Sequence, residues 1–408
     1  MEECSHSVHW TDYISKENRK PVRPAYEVAD VLRAHWQAVE ASPQINKWQL
    51  RTLGAVMRCR TAALGGHKDV CTSCGFLRVS YNSCRNRHCP KCQGKNREAW
   101  IQKRADELLP VPYFHVVFTL PDILNGLAKQ NPKAVYDSLF ASAWATVRTF
   151  GHDPKHLGAQ AGMICILHTW GQTLSLHPHL HCIIPGGGLT KDGRWKTARS
   201  KGKYLFPVKA MSKVFRAKYV DALKARLPEV DQQLISSLFQ KAWVVYAKRP
   251  FAHPKYVIEY LGRYTHKVAI SNHRLRVVTD DSVTFTYKDY RKGAQQQELT
   301  LSGMEFIRRF SLHILPKGFV RIRHYGILSS TSKAVSIPAI RSVTTEKIGG
   351  CIEQRILIVY DPSQCPHCKT PTMITIELLP KRGPPASPAD HRPELKYLGV
   401  PTALCHVV

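Results

Sequence analysis

The sequence predicts an α+β protein: a helical, cysteine-bearing N-terminal domain followed by an antiparallel sheet flanked by helices. Three observations predict it. Apolar residues recur at three-to-four spacing through the first 60 residues, a dense block of cysteine and arginine follows, and beyond residue 110 alternating segments interleave with amphipathic helical ones. A chain of 408 residues is long enough to bury a sizeable core in several domains. The pattern divides it into a helical region at 1–58, a cysteine-rich domain at 59–110, a larger domain at 111–345 and a C-terminal extension at 346–408.

The elements follow in order. Val28, Val31, Leu32, Trp36 and Val39 mark one helical face over residues 26–40, and Trp48, Leu53, Val56 and Met57 repeat the pattern. Val111 to Leu120 is a strand closed by Pro121. Pro132 to Phe150 is helical, Met163 to Ile184 is strand-like, and the glycines at 186–188 form a loop. Two amphipathic stretches, Ser212 to Leu227 and Asp231 to Trp243, precede a helix over His253 to Thr265, where Pro254 suits the first turn. Arg274 to Thr279 and Ser282 to Tyr287, split by Asp280 and Asp281, form a hairpin. Ser302 with Glu305 is a capping box for a helix through Leu315. Phe319 to Tyr325 alternates strictly, placing Arg321 and Arg323 on one face with Phe319 and Tyr325. Five prolines between Pro380 and Pro393 mark a linker or tail.

Charge narrows the partner. Lys and Arg number 59 against 30 Asp and Glu, a net +29, while a hydrophobic fraction of 43% supports a folded core. A basic surface on a globular protein suits a polyanion, nucleic acid before membrane. The longest apolar run, Ala161 to Leu167, is stopped by His168 well short of a membrane span. The N-terminus, with Glu2, Glu3 and Cys4, has neither the basic nor the apolar region of a secretion signal, so the thirteen cysteines are expected in a reducing compartment, as metal ligands rather than disulfides.

Cys71 and Cys74 form one C-x2-C knuckle and Cys89 and Cys92 another. Together they offer four thiolates to one tetrahedral Zn²⁺, which a small segment with little core needs in order to fold. Cys59, His67, Cys84 and His88 lie in the same stretch and can exchange with a ligand or hold a second ion. The 60 residues from Arg51 to Pro110 carry twelve Lys/Arg against four Asp/Glu. Arg85, Arg87 and Lys91 are therefore candidate DNA contacts, since phosphates dominate such affinity. A later pair, Cys365 and Cys368, has no clear second knuckle unless Cys405 and His406 supply it.

In LHPHLHCII, His177, His179 and His181 alternate on one face of a strand. Neighbours two apart lie about 6.6 Å apart at Cα, close enough to share an ion, whereas four apart is about 13 Å. Pro178 belongs at a strand's start, which favours His179 and His181 as the metal pair and leaves His177 a subsidiary candidate. The third ligand is open among His168, Gln172, His177 and a side chain of the 253–265 helix. In that helix Tyr260 and Tyr264 share a face, with Lys267 further along it. Alone, Tyr256, Tyr260 and Tyr264 are a packing stripe. Beside a two-histidine metal site in a basic chain, they are candidate nucleophiles.

These residues, in this order, resemble a known family. The strand YFHVVFTLP, then His179-Leu180-His181, then Tyr260, Tyr264 and Lys267 resemble the HUH endonuclease superfamily of rolling-circle initiators. The block CTSCGFLRVSYNSCRNRHCPKCQ resembles the zinc-binding domain of rolling-circle insertion-sequence transposases, the insertion-sequence-91 family and its common-region relatives. The resemblance covers roughly residues 30 to 330. It implies an HUH-type sheet with histidines on a central strand, and a metal-dependent, bacterial, nucleoid-associated cytoplasmic transposase. His179 and His181 would hold Mg²⁺ or Mn²⁺, and Tyr260 or Tyr264 would attack the scissile phosphate of single-stranded DNA through a 5′-phosphotyrosine. Lys267 would act as counter-charge, and Arg263, Arg321 and Arg323 would join the cations along the strand. The resemblance leaves two alternatives: a plasmid or phage replication initiator with the same chemistry, and a zinc-dependent DNA-binding regulator without catalysis. It leaves the oligomeric state open.

Overall fold

The computed structural model describes residues 23–92, 107–198, 205–247, 251, 257, 267–344 and 361–381. Of the helix expected over 253–265, only Val257 falls among them; Tyr260, Arg263 and Tyr264 lie outside the described residues, as does the chain beyond 381. Among the described residues no helix is long and apolar enough to cross a membrane. The chain divides into two compact units.

The larger unit opens with α1 (Val28–Ala34), α2 (Trp36–Ala41) and α3 (Lys47–Met57), on the periodicity read from sequence. Its centre is a five-stranded sheet of β3 (Tyr113–Thr119), β4 (Gly162–Trp170), β5 (Leu176–Pro185), β8 (Val245–Ala247) and β12 (Ile322–Gly326), ordered β12-β4-β5-β3-β8. Every neighbouring pair is antiparallel. The histidine strand β5 is thus the central one.

Alternation sorts β5 between two layers. Leu180, Cys182 and Ile184 enter a large core with Phe114, Val116 and Phe118 of β3 and Cys165 and Leu167 of β4. Two helices cover that face: α5 (Pro132–His152), which starts on Pro132, and α6 (Val208–Arg226), which contributes Phe215, Tyr219 and Leu223. Ile183 points the other way. It joins Ile164, Ile166, Tyr113, the helical Val257, and Ile337 and Ile340 of α9 (Lys333–Thr344). The same opposite face carries the histidines.

The short helices α4 (Asn125–Gln130) and α7 (Gln232–Gln240) complete the first layer, Asp231 capping α7 by accepting from Gln233 N–H at 2.9 Å. A second sheet, β11-β10-β9, joins β9 (Leu275–Val278), β10 (Ser282–Asp289) and β11 (Gln295–Ser302) and packs on α8 (Gly303–Ser311) through Phe285 and Phe306. The Ser302 hydroxyl accepts from Glu305 N–H at 3.3 Å, one half of the expected capping box, while the Glu305 carboxylate turns to Arg308 and Arg309 instead.

Three readings change. The strand-like run at 163–184 is two strands, β4 and β5, joined by a turn whose Gly171 N–H donates to Ser175 O at 2.9 Å. The glycines at 186–188 are not a loop: Gly187 and Gly188 open β6 (Gly187–Leu189), which pairs with β7 (Trp195–Thr197). A Cβ at Gly187 would lie 2.5 Å from the Trp195 ring, so absence of a side chain lets the strands meet. Finally, α8 stops at Ser311, short of Leu315, with Leu312 as its C-cap.

The smaller unit is a three-stranded antiparallel sheet ordered β13-β1-β2, of β1 (Gly66–Cys71), β2 (Leu77–Tyr81) and β13 (Met373–Leu379). Buried Asp69 accepts from Arg78 Nη2 at 2.8 Å and from the Thr375 hydroxyl at 2.8 Å, joining all three strands. The segment 361–381, expected in a separate C-terminal extension, therefore supplies a strand to the cysteine-rich sheet.

Candidate active site and metal centres

His168 and His179 face each other across β4 and β5, and His181 stands opposite Ile166. Ring nitrogens of His168, His179 and His181 lie within 4.8 Å of one another, a spacing that fits one shared ion. The favoured pair is together, and β4 provides the third imidazole. His177 is not in the group: its side chain is exposed on the strand's outer end, and its backbone carbonyl accepts from His179 Nδ1 at 2.6 Å.

The two histidines of β5 are oriented. With Nδ1 of His179 on a carbonyl, Nε2 is the nitrogen left to coordinate. Nδ1 of His181 lies 2.9 Å from Nε2 of His115, a buried β3 residue that the sequence reading passed over. Its signal was a polar residue sharing a face with Tyr113 and Val117 in an otherwise apolar strand. Burial keeps the rings uncharged, the form that binds metal. It pushes His179 down to about 4, and it lowers His181 well below its usual value, helped by His168, His179 and His115. Lys267 also disfavours protonation of both. Its own ionisation is lowered by burial and by Arg274 and Lys288.

The turn between β4 and β5 is clamped. Arg274 and Arg309 donate to Gln172 O and Thr173 O, and His313 bridges the Thr169 hydroxyl and Leu174 O at 3.1 Å each. Beside His168, the Trp170 ring stacks at 4.6 Å, with the Arg321 guanidinium 6.0 Å above Trp170.

The cations expected along the DNA are placed differently. Arg323 and Tyr325 do share a face, but it is the covered one: Arg323 pairs with Asp137, lies 4.1 Å from the Phe140 ring centre, and Tyr325 stacks on Trp144. Arg321, just before β12, is buried and donates to Lys267 O at 3.2 Å. Arg87 donates to Phe319 O at 2.5 Å, and Lys91 pairs with Glu27 at 2.7 Å. Arg85 is exposed. Charge and alternation identified these residues but not that four of them serve the fold.

The cysteines also regroup. Cys71 and Cys74 do not meet Cys89 and Cys92; their sulfurs gather within 4.8 Å with those of Cys365 and Cys368. The pairing of β1 with β13 brings these knuckles together. Cys84 N–H donates to Cys59 Sγ at 3.4 Å, so Cys84 stands against a cysteine sulfur. His88 is buried, its Nε2 has no hydrogen-bond partner, and burial beside Arg87 and Arg321 pushes it down to about 3.

Known proteins share this arrangement of segments. A family model described as "Transposase zinc-binding domain" matches residues 31–120, and one described as "Putative transposase" matches residues 162–335. The "Putative transposase y4qJ" of Sinorhizobium fredii is 42% identical over 391 residues, 89% of this chain and 98% of that protein. The "Transposase for insertion sequence element IS801" of Pseudomonas savastanoi pv. phaseolicola is 30% identical over 339 residues, 78% of this chain and 82% of that one. A solved complex, "The structure of TrwC complexed with a 27-mer DNA comprising the recognition hairpin and the cleavage site", matches 58% of this chain and 74% of that one at 12% identity and a TM-score of 0.21. A zinc-binding domain ahead of a transposase region, in a chain that matches its relatives over most of their length, makes this protein a member of the insertion-sequence-91 type of transposases.

Proposed function

We propose that this transposase nicks and rejoins single-stranded DNA at insertion-element ends by tyrosine attack, and so drives rolling-circle transposition. The observation that carries this is the convergence of His168, His179 and His181 on the sheet face that also buries Val257, three and seven residues ahead of Tyr260 and Tyr264. Three converging imidazoles, those of His179 and His181 uncharged and with Nε2 left to coordinate, fit a divalent cation, Mn²⁺ more readily than the abundant Mg²⁺. When bound there, such an ion supplies Lewis acidity to a phosphate and a template for its alignment.

Tyr264 or Tyr260 gives up its phenolic proton, and its oxygen attacks the scissile phosphorus. The bond to the 3′ oxygen breaks, leaving a 5′-phosphotyrosine and a 3′-hydroxyl. A 3′-hydroxyl then attacks that phosphorus and releases the tyrosine, so one phosphodiester is regained for each one broken and no ATP is needed. A second tyrosine permits a second cleavage while the first adduct persists. Lys267 is the counter-charge beside the imidazoles. In the front domain, the C-x2-C knuckle of Cys89 and Cys92 is proposed to hold its zinc. The enzyme would work on nucleoid DNA in the bacterial cytoplasm.

The test is incubation with a single-stranded oligonucleotide of the element end and Mn²⁺, followed by denaturing electrophoresis. A covalent adduct is expected, and it should be absent from the Tyr260→Phe, Tyr264→Phe double variant. An adduct that survives in that variant overturns the assignment of the nucleophiles; no adduct with the native protein favours a DNA-binding regulator.

A further inference from the structure

We infer that Cys71, Cys74, Cys365 and Cys368 hold a structural zinc ion of their own, so that a segment near the C-terminus closes a metal site begun about 300 residues earlier. Cys71 and Cys74 lie within the region matched by the zinc-binding domain, residues 31–120, and Cys365 and Cys368 lie far outside it. The matched domain therefore does not contain this site by itself.

The distances are those of a metal tetrahedron. Zinc–thiolate bonds of about 2.3 Å put any two sulfurs about 3.8 Å apart. Cys71 Sγ lies 3.6 Å from Cys368 Sγ, and Cys74 Sγ lies 3.7 Å from Cys365 Sγ. Both separations far exceed the roughly 2.05 Å of a disulfide.

The two knuckles repeat one backbone design. In the first, Gly75 N–H donates to Cys71 O at 2.9 Å and Cys71 N–H donates to Phe76 O at 2.9 Å. In the second, Lys369 N–H donates to Cys365 O at 3.0 Å and Cys365 N–H donates to Thr370 O at 2.8 Å. The residue after each second cysteine turns left-handed, Gly75 at φ 73° and Lys369 at φ 64°. At Lys369 a side chain tolerates that strain, which marks a turn fixed by its surroundings. Matched knuckles are how two chain segments present four sulfurs symmetrically to one ion.

Donors aimed at the sulfurs supply the outer layer that thiolates need. The Thr372 hydroxyl lies 3.1 Å from Cys71 Sγ, the Thr370 hydroxyl 2.9 Å from Cys368 Sγ, and His367 N–H donates to Cys365 Sγ at 3.4 Å. Around them the apolar cluster is small: buried Cys71, Cys365 and Met373, with Phe76 and Cys368 against them. Ligands make up most of that core, so an ion is what can hold the sheet together.

The test is metal content of the full-length chain purified under reducing conditions. Two zinc ions per chain are expected, falling to one in Cys365→Ser, Cys368→Ser and likewise to one in Cys89→Ser, Cys92→Ser. Because a serine pair can unfold the sheet, Cys368→His, which keeps a tetrahedral ligand, is the companion. It should retain two ions, and on cobalt substitution it should shift the visible bands of one site only. One zinc in the native chain, or two retained in Cys365→Ser, Cys368→Ser, overturns the assignment. Neither result depends on whether the protein nicks DNA.

Discussion

His115 of β3 and His181 of β5 meet ring nitrogen to ring nitrogen at 2.9 Å, with the planes 11° from parallel. One of these nitrogens must carry the proton. When His181 donates from Nδ1 to His115 Nε2, its own Nε2 is bare and faces the cluster, and His115 is a positioning residue for the metal. His115→Ala should weaken Mn²⁺ binding about 10- to 100-fold, as removal of such outer partners does. Calorimetric titration with Mn²⁺ reads the affinity directly, and adduct formation should recover at high Mn²⁺. An unchanged affinity would remove His115 from that role.

The third imidazole separates two histidines that look alike in sequence. His168→Ala should abolish adduct formation at low Mn²⁺, because it takes a nitrogen from the group. His177→Ala should leave it within about twofold, since only the backbone carbonyl of His177 is used. Adduct yield against Mn²⁺ concentration for both variants decides this, and equal losses would contradict the ligand set.

Arg323 should behave as a core residue rather than a DNA contact. Its guanidinium pairs with Asp137, with side-chain exposures of 25% and 18%, and lies over the Phe140 and Phe319 rings. Arg323→Ala should cost about 1–2 kcal/mol of stability by leaving Asp137 to the exposed Lys133 and emptying the stack. The slope of log binding constant against log salt should stay the same. Urea denaturation and a salt series of oligonucleotide binding test the two halves separately.

Acid should loosen the β4–β5 turn. Burial pushes His313 down to about 4, against the pull of the Leu174 carbonyl towards the charged ring. An imidazole with a folded value below its unfolded 6.5 takes up a proton on unfolding. Its contribution is thus full above pH 6.5 and is lost as the pH falls towards 4, about 3 kcal/mol across the window. His313→Asn should show a shallower fall in thermal midpoint between pH 7 and pH 4.5 than the native protein. Parallel falls would show that His313 is not among the groups that titrate.

What was legible in the sequence was local. Alternation in LHPHLHCII put His179 and His181 on one face because a strand has a period of two whatever surrounds it. That His168 completes the group depends on the register of β4 against β5, which no spacing within β5 encodes. Cysteine spacing likewise identified knuckles but not their partners: Cys71 and Cys74 fit Cys89 and Cys92 as well as Cys365 and Cys368 until β13 pairs with β1. The alternation of Arg323 and Tyr325 was read correctly, but period alone cannot say whether a shared face looks to solvent or, as here, to α5. β11, with Gln and Glu in half its positions, lacked the apolar signal of a strand and is held by its pairing with β10.

The bond from Thr375 to Asp69 spans 306 residues, which imposes a schedule on synthesis. At 5–20 residues per second, β1 and β2 leave the ribosome roughly 15–60 s before the strand that completes their sheet. During that interval Cys71 and Cys74 wait for the second half of their site. A chain broken off anywhere before residue 365 lacks both the second knuckle and β13, so it can never finish the sheet or the metal site it shares.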